Sequence, residues 1–261
     1  MLAGVLLAAL AAGAAQAAPG RVASLDQCAD QYVLALAPRS SIAALSPRAD
    51  DADAWLRSQA AGLPRRRATF EAMTAVQPDL VVRYWGGDPR LLRALQGRGA
   101  RVVQIEEATE FEGVRANIRR VAAALDRRAE GEALIRDMDA RLARSRGAWK
   151  GQPALYMTPS GFTAGPGTLI DAMLRAAGLT NAAKAQSWEP VPLERMILSP
   201  PSLFVFGFFD AGRGDRWGSG RHPLIAGMAR GRTVASLPGS MLGCPLWAQA
   251  VGAERLAGAR R

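Results

Sequence analysis

The sequence predicts two α/β lobes, each on a mainly parallel sheet, joined by a helical middle. Three observations predict this. Short apolar strand-like runs alternate with helical runs from Arg21 to Glu106, and the alternation restarts at Ala154. Between them, apolar residues recur at helical spacing in a highly charged stretch. The chain has 261 residues, enough for two lobes of roughly 100 residues each.

In the first half, Arg21–Leu25 and Ile42–Ser46 read as short strands, separated by a helical run from Cys28 to Ala37 that Pro38 stops. Phe70–Gln77 has helical character and ends at Pro78, which cannot join a ladder. Leu80–Tyr84 is a buried strand, Pro89–Arg98 a helix closed by Gly99, and Arg101–Glu106 a fourth strand. Strand–helix alternation with short links argues for a parallel sheet covered by helices.

In the middle, Phe111, Val114, Ile118, Val121 and Leu125 share one helical face. Leu134, Ile135, Met138 and Leu142 do the same after a break expected near Gly131, and the amphipathic stretch ends by about Arg146. Ala154–Thr158 then reads as a strand, Thr168–Ala177 as a helix capped by Gly178, and Leu193–Leu198 as a short helix. Leu203–Phe209 and Thr233–Ser236 are further strands, and Leu246–Leu256 is a closing helix. The expected division is residues 1–18 as a signal peptide, 19–110 as the first lobe, 111–150 as a helical connector and 151–261 as the second lobe.

The signal peptide rests on an uncharged apolar run, Leu2 to Ala12, too short for the roughly 20 residues of a membrane span. Ala15 and Ala17 then supply an A-x-A cleavage site. The net charge is +10, and Lys150 and Lys184 are the only lysines. The arginines are interleaved with Asp and Glu along helical faces, as in 127–146, which reads as a solvated basic surface rather than a nucleic-acid track. A cleft drawing on this charge would favour anionic ligands.

The usual catalytic constellations are missing. The sequence contains no G-x-S-x-G elbow and no G-x-x-x-x-G-K-[ST] loop, and Gly165-Pro-Gly167 meets Ile170 where a dinucleotide fingerprint needs its third glycine. One histidine, His222, and two cysteines, Cys28 and Cys244, cannot make the common zinc sites. The expectation is a protein that is not an enzyme and has no resident cofactor or metal. A secreted α/β enzyme using carboxylate chemistry is the rival reading.

The segment Pro78-Asp-Leu-Val-Val-Arg-Tyr-Trp-Gly-Gly-Asp88 resembles the N-lobe loop of class III periplasmic binding proteins, the cobalamin and ferric-siderophore binding family of ABC importers. Arg21-Val-Ala-Ser-Leu25 is similar to the opening strand of that family, and Gly161-Phe-Thr-Ala-Gly165 to its C-lobe glycine loop. Residues 188–200 resemble the segment carrying a cleft aromatic, a Glu and a helix ending in Ser-Pro. The resemblance covers residues 21–256. It implies two Rossmann-like lobes joined by a long helix, with a cleft between them that holds a bulky metal chelate such as cobalamin, a ferric siderophore or haem. It also implies a periplasmic monomer that delivers its ligand to an inner-membrane ABC permease and binds no nucleic acid.

By the same resemblance the ligand lies at the carboxyl ends of the strands, at 24–27, 84–88, 160–165 and 208–213, where open α/β sheets bind ligands in general. Tyr84, Trp188 and Phe162 stand at aromatic contact positions, and Trp85, Ser24 and Gly86 adjoin them. Aromatic rings suit flat chelates because they give large contact area at low entropy cost. Near the last helix, where the cobalamin binder holds its ligand with two charges, Pro238–Pro245 is uncharged. Glu194 stands at the C-lobe permease-docking position; Arg90 occupies the N-lobe position, so Asp88 is the substitute there. Cys28 and Cys244 each precede a predicted helix and are expected as two unpaired thiols. The alternative is a disulfide between the lobes, open if their Cα atoms lie within about 7 Å.

Overall fold

The computed structural model describes residues 18–210 and 218–260. The expected signal peptide and residues 211–213 of the last strand edge lie outside the described residues, apart from Ala18.

The N-lobe sheet contains β1 (Val22–Ser24), β2 (Ile42–Ala44), β3 (Leu80–Arg83) and β4 (Arg101–Gln104), in the order β2-β1-β3-β4. All its pairings are parallel. Leu80, Val81 and Val82 are fully buried because helices cover both faces of the sheet. Those helices are α1 (Gln27–Leu36), α2 (Phe70–Val76) and α3 (Pro89–Gln96). α3 starts where Pro89 sits in the first turn and the Asp88 carboxylate accepts the N–H groups of Arg90 and Leu91 at 2.8 and 3.0 Å.

The connector is a helix pair, α4 (Phe111–Ala124) and α5 (Arg128–Ser145), rather than one long helix. The chain turns at Asp126, whose φ is +57°, five residues before the expected break at Gly131. Gly131 sits inside α5, and its hydrogen is what lets the two helices touch. A Cβ there would stand 2.6 Å from the Ala122 Cβ.

The C-lobe sheet contains β5 (Pro153–Met157), β7 (Thr180–Asn181), β9 (Leu203–Gly207) and β10 (Thr233–Leu237), ordered β10-β9-β5-β7 and again parallel. Counted along the chain, both sheets run second, first, third, fourth. Each lobe therefore has its topological switch point between its first and third strands. α6 (Leu169–Ala176), α7 (Leu193–Leu198), α8 (Pro223–Ala229), α9 (Gly239–Leu242) and α10 (Ala248–Gly258) complete the lobe. An antiparallel ribbon of β6 (Phe162–Ala164) and β8 (Trp188–Pro190) projects from it. That ribbon and α8 were not expected. His222 caps α8, its Nδ1 accepting the Leu224 N–H at 3.2 Å.

The two lobes share one contiguous apolar core, running from Val22 and Tyr32 in the first to Tyr156 and Trp247 in the second. At the seam, Cys28 of α1 and Cys244 are joined by a disulfide, with Cα atoms 5.4 Å apart. The expectation of two unpaired thiols is thus corrected. Cys28 lies in the first turn of α1, and Cys244 in the turn between α9 and α10. Beside the bridge the Tyr32 hydroxyl donates to the Pro245 carbonyl at 2.6 Å, and the Tyr32 ring packs edge-on against Trp247.

A second buried feature titrates near neutrality. Asp30, fully buried on α1, accepts hydrogen bonds from Ser24 Oγ, Ser46 N and Ser46 Oγ. Burial outweighs these bonds and lifts its carboxyl from 3.8 to about 6. The folded protein therefore holds this proton more tightly than the unfolded chain does. Its contribution to stability is present below pH 4 and is lost as pH rises through 6, by up to about 3 kcal/mol. Melting curves between pH 4 and 7 should show that slope, and Asp30→Asn should remove it. Identical slopes for the two proteins would contradict the assignment.

Candidate functional site

The site begins with Asp26, the second of the two residues between β1 and α1. Its side chain is 2% exposed and accepts five backbone N–H groups. Oδ1 takes those of Cys28 and Ala29 at 3.1 and 3.0 Å, capping α1. Oδ2 takes those of Tyr84, Trp85 and Gly86 at 2.7, 3.2 and 2.9 Å, gathering the loop that follows β3. Burial raises its carboxyl above the usual range, and the N–H groups act in the opposite direction. From the other side, Arg83 donates to the Gly86 carbonyl and Gln104 to that of Tyr84. Gly86 is required by this close approach, since a Cβ would lie 2.4 Å from the Leu25 carbonyl oxygen. One loop is thus held at both its donors and its acceptors.

This clamp presents Tyr84 to a cleft of about 490 Å³ between the lobes. The N-lobe wall is Tyr84, Glu107, Ala108 and Thr109; the C-lobe wall includes Thr168, Ser187, Trp188, Leu242 and Gln249. Cys244 also lines the cleft, so the disulfide forms part of its floor. The Tyr84 hydroxyl donates to Glu107 Oε2 across the N-lobe wall. Partial burial raises the Glu107 carboxyl, while the Ala108 N–H acts to lower it. Trp188, half exposed on β8, packs edge-on against the buried Tyr156 ring, with 6.0 Å between centroids. A second cavity of about 450 Å³, lined by Phe206, Phe209 and Ile225, lies within the C-lobe alone.

Two of the six expected contact residues, Tyr84 and Trp188, therefore come together in one cleft from opposite lobes. The other four stand elsewhere. Ser24 is fully buried and bonded to Asp30. Gly86 is packed against Leu25 and Asp26, just beyond β1. Trp85 is 59% exposed and lies outside the cleft lining, as does Phe162 on the β6 edge of the ribbon. In a tight loop, successive side chains diverge, so Trp85 points away when Tyr84 points in. Asp26, Glu107 and Gln249 were missed. Asp26 carried a legible signal, an Asp just before a helical run; Glu107 and Gln249 carried none. Of the docking carboxylates, both Glu194 in the first turn of α7 and Asp88 at the start of α3 are exposed. Asp88 is also a helix cap, and its backbone bonds hold its carboxyl below the ordinary range.

The basic surplus of the sequence does not appear on the described walls of the cleft. Among the described lining residues the one charged side chain is Glu107. The arginines are spent instead on surface pairs such as Arg115–Asp139, Arg119–Glu132 and Arg141–Glu254. Among the described residues, no basic side chain lines the cleft.

Two α/β lobes of matching strand order, bridged by helices and facing one aromatic cleft, form a recognisable frame. A family model described as periplasmic binding protein matches residues 22–207, well over half of the chain. The chain belongs to the periplasmic binding protein family. Families of this kind serve solute binding for transport, and this binding protein shares its fold with several solved relatives. The periplasmic haem-binding protein BhuT, in complex with two haems, superposes with a TM-score of 0.68 at 24% identity, covering 92% of this chain and 99% of that one. The vitamin B12 binding protein BtuF of Vibrio cholerae gives 0.68 at 18% identity, covering 93% and 96%. An ABC-type Fe3+-hydroxamate transport protein of Saccharomonospora viridis gives 0.68 at 20%, covering 93% of each chain. No curated protein matches the sequence.

Proposed function

We propose that this binding protein is exported to the periplasm, captures a bulky metal chelate between its lobes and delivers it to an inner-membrane ABC permease. The observation that carries the reading is the placement of Tyr84 and Trp188 on opposite walls of one interlobe cleft. Two rings on opposite walls of such a space suit a flat, partly apolar ligand that either ring alone would hold weakly. The solved relatives named for haem, vitamin B12 and Fe3+-hydroxamate support a chelate as the ligand class. The apolar run at the start of the sequence supports export. A thermal-shift screen of cobalamin, haem and several ferric siderophores, read together with tryptophan quenching, tests it. The expected result is stoichiometric binding of one chelate without chemical change. A chelate turned over into product would favour the carboxylate enzyme instead.

Delivery needs a docking surface, and Glu194 is the residue assigned to it in this reading. It is an exposed carboxylate in the first turn of α7, just beyond the ribbon that carries Trp188. Glu194→Arg should lower uptake in cells severalfold and leave ligand affinity within twofold of wild type, because residue 194 lies outside the cleft lining. Unchanged uptake would remove Glu194 from the docking surface.

A further inference from the structure

Within that reading, the cleft also specifies the charge of the ligand's rim. The sequence holds 33 basic and 23 acidic residues, yet the one charged group on the described walls of the cleft is the Glu107 carboxylate. A ligand carboxylate or catecholate brought beside Glu107 would meet a like charge in a partly desolvated space, where repulsion is weakly screened. The amino terminus of α6 also faces the cleft, but it does not offset this. The Thr168 hydroxyl accepts the Asp171 N–H at 3.1 Å, and the Asp171 carboxylate lies within the first turn of the same helix.

The neutral polar groups point the same way. Gln249, on the first turn of α10, is 2% exposed and lines the cleft. Its amide nitrogen reaches the Cys244 carbonyl at 3.4 Å, and its Oε1 has no hydrogen-bond partner among the described residues. A buried amide oxygen left without a donor is costly, so Gln249 favours a ligand that brings an N–H or O–H to it. Carboxylates cannot supply the donor that Gln249 lacks, whereas primary amides both donate and accept.

We infer that the cleft selects metal chelates whose rim is neutral or cationic and carries amide or hydroxyl donors, and discriminates against carboxylate-rimmed and polyanionic chelates. This rests on the chelate-binding reading above.

A matched pair of cobalt corrins tests it: dicyanocobinamide, rimmed with primary amides, and dicyanocobyrinic acid, which has carboxylates in their place. Neutral ferric ferrichrome and trianionic ferric enterobactin form a second pair on iron. Titration by tryptophan quenching at neutral pH should give at least tenfold tighter binding of the amide corrin, and tighter binding of ferrichrome than of enterobactin. Gln249→Leu should weaken the amide corrin at least fivefold and narrow the gap within the pair. Glu107→Gln, which keeps the side chain's shape and an acceptor for the Tyr84 hydroxyl, should strengthen the carboxylate corrin severalfold. If the carboxylate corrin and enterobactin bind as tightly as their partners, or more tightly, the inference is overturned while chelate binding stands. Failure of all four chelates to bind would overturn the chelate reading, and the inference with it.

Discussion

Replacing both Cys28 and Cys244 by serine should lower the melting temperature by roughly 5–15 °C. The bridge joins residues 216 apart in sequence, so it removes a large part of the unfolded chain's freedom. Loss of such a link typically costs about 2–5 kcal/mol, and in a chain of this length each kcal/mol moves the midpoint by about 2–4 °C. Its position adds a second consequence. The bridge fastens α1 to the turn between α9 and α10 across the lobe seam, leaving the Tyr32–Pro245 hydrogen bond and the Tyr32–Trp247 contact as its neighbours. Without it, amide exchange along α1 and around 244–247 should speed up more than exchange in the sheets. Melting of the oxidised and reduced wild type beside the double variant checks both points. Reduced wild type should match the variant. Equal melting of all three would mean that the bridge contributes nothing to the folded state.

Asp26→Ala should destabilise the protein by about 3 kcal/mol or more. Hydrogen bonds to a charged acceptor contribute about 1.5–3 kcal/mol each, and buried donors left bare cost about as much. Five backbone N–H groups converge on this side chain, so even partial rescue by water leaves a large deficit. Asp26→Asn separates the two jobs. An asparagine has one acceptor oxygen, which can serve either the α1 cap or the Tyr84 loop, while its NH₂ faces the donors of the other. If the cap keeps the oxygen, the fold survives and the loop loosens. Ligand affinity should then fall by at least fivefold for a melting shift smaller than that of Asp26→Ala. Denaturant unfolding of both variants, with ligand titration of the Asn variant, measures the separation. An Asp26→Asn protein with wild-type affinity would show that Asp26 does not position Tyr84.

The lobes were legible because their cores obey simple periodicities. The all-buried Leu80-Val81-Val82 run and the helical stripe Val114, Ile118, Val121 carry their structural meaning in their own spacing. The helix break was misplaced because Gly131 looks like a terminator in sequence but serves as a contact glycine between α4 and α5. The ribbon carrying Trp188 escaped notice since β6 and β8 are three residues each and are fixed by pairing with one another. Tyr84 and Trp188 were found through resemblance of their flanking segments. Phe162 was named by the same resemblance, and Trp85, Ser24 and Gly86 by their place at strand ends, which says little about where side chains point in a tight loop. The partnership of Cys28 with Cys244, and that of Tyr84 with Glu107, are tertiary facts set by how strand ends from separate segments converge. A surplus of arginine is a property of the whole chain, and it does not say which side chains the fold brings to the cleft wall.

The central claim is that Tyr84 and Trp188 form a two-sided platform for one chelate, and Trp188→Ala tests it most directly. A stacked aromatic contact adds about 0.5–1.5 kcal/mol beyond its buried area, and losing the ring also loses that burial. Because about 1.4 kcal/mol corresponds to a factor of ten, calorimetric titration with the best chelate should show affinity at least tenfold weaker. Trp188 is 48% exposed, so the melting temperature of the free protein should change by no more than a few degrees. Unchanged affinity, accompanied by a large drop in melting temperature, would make Trp188 a packing residue and would contradict the placement of the ligand between the lobes.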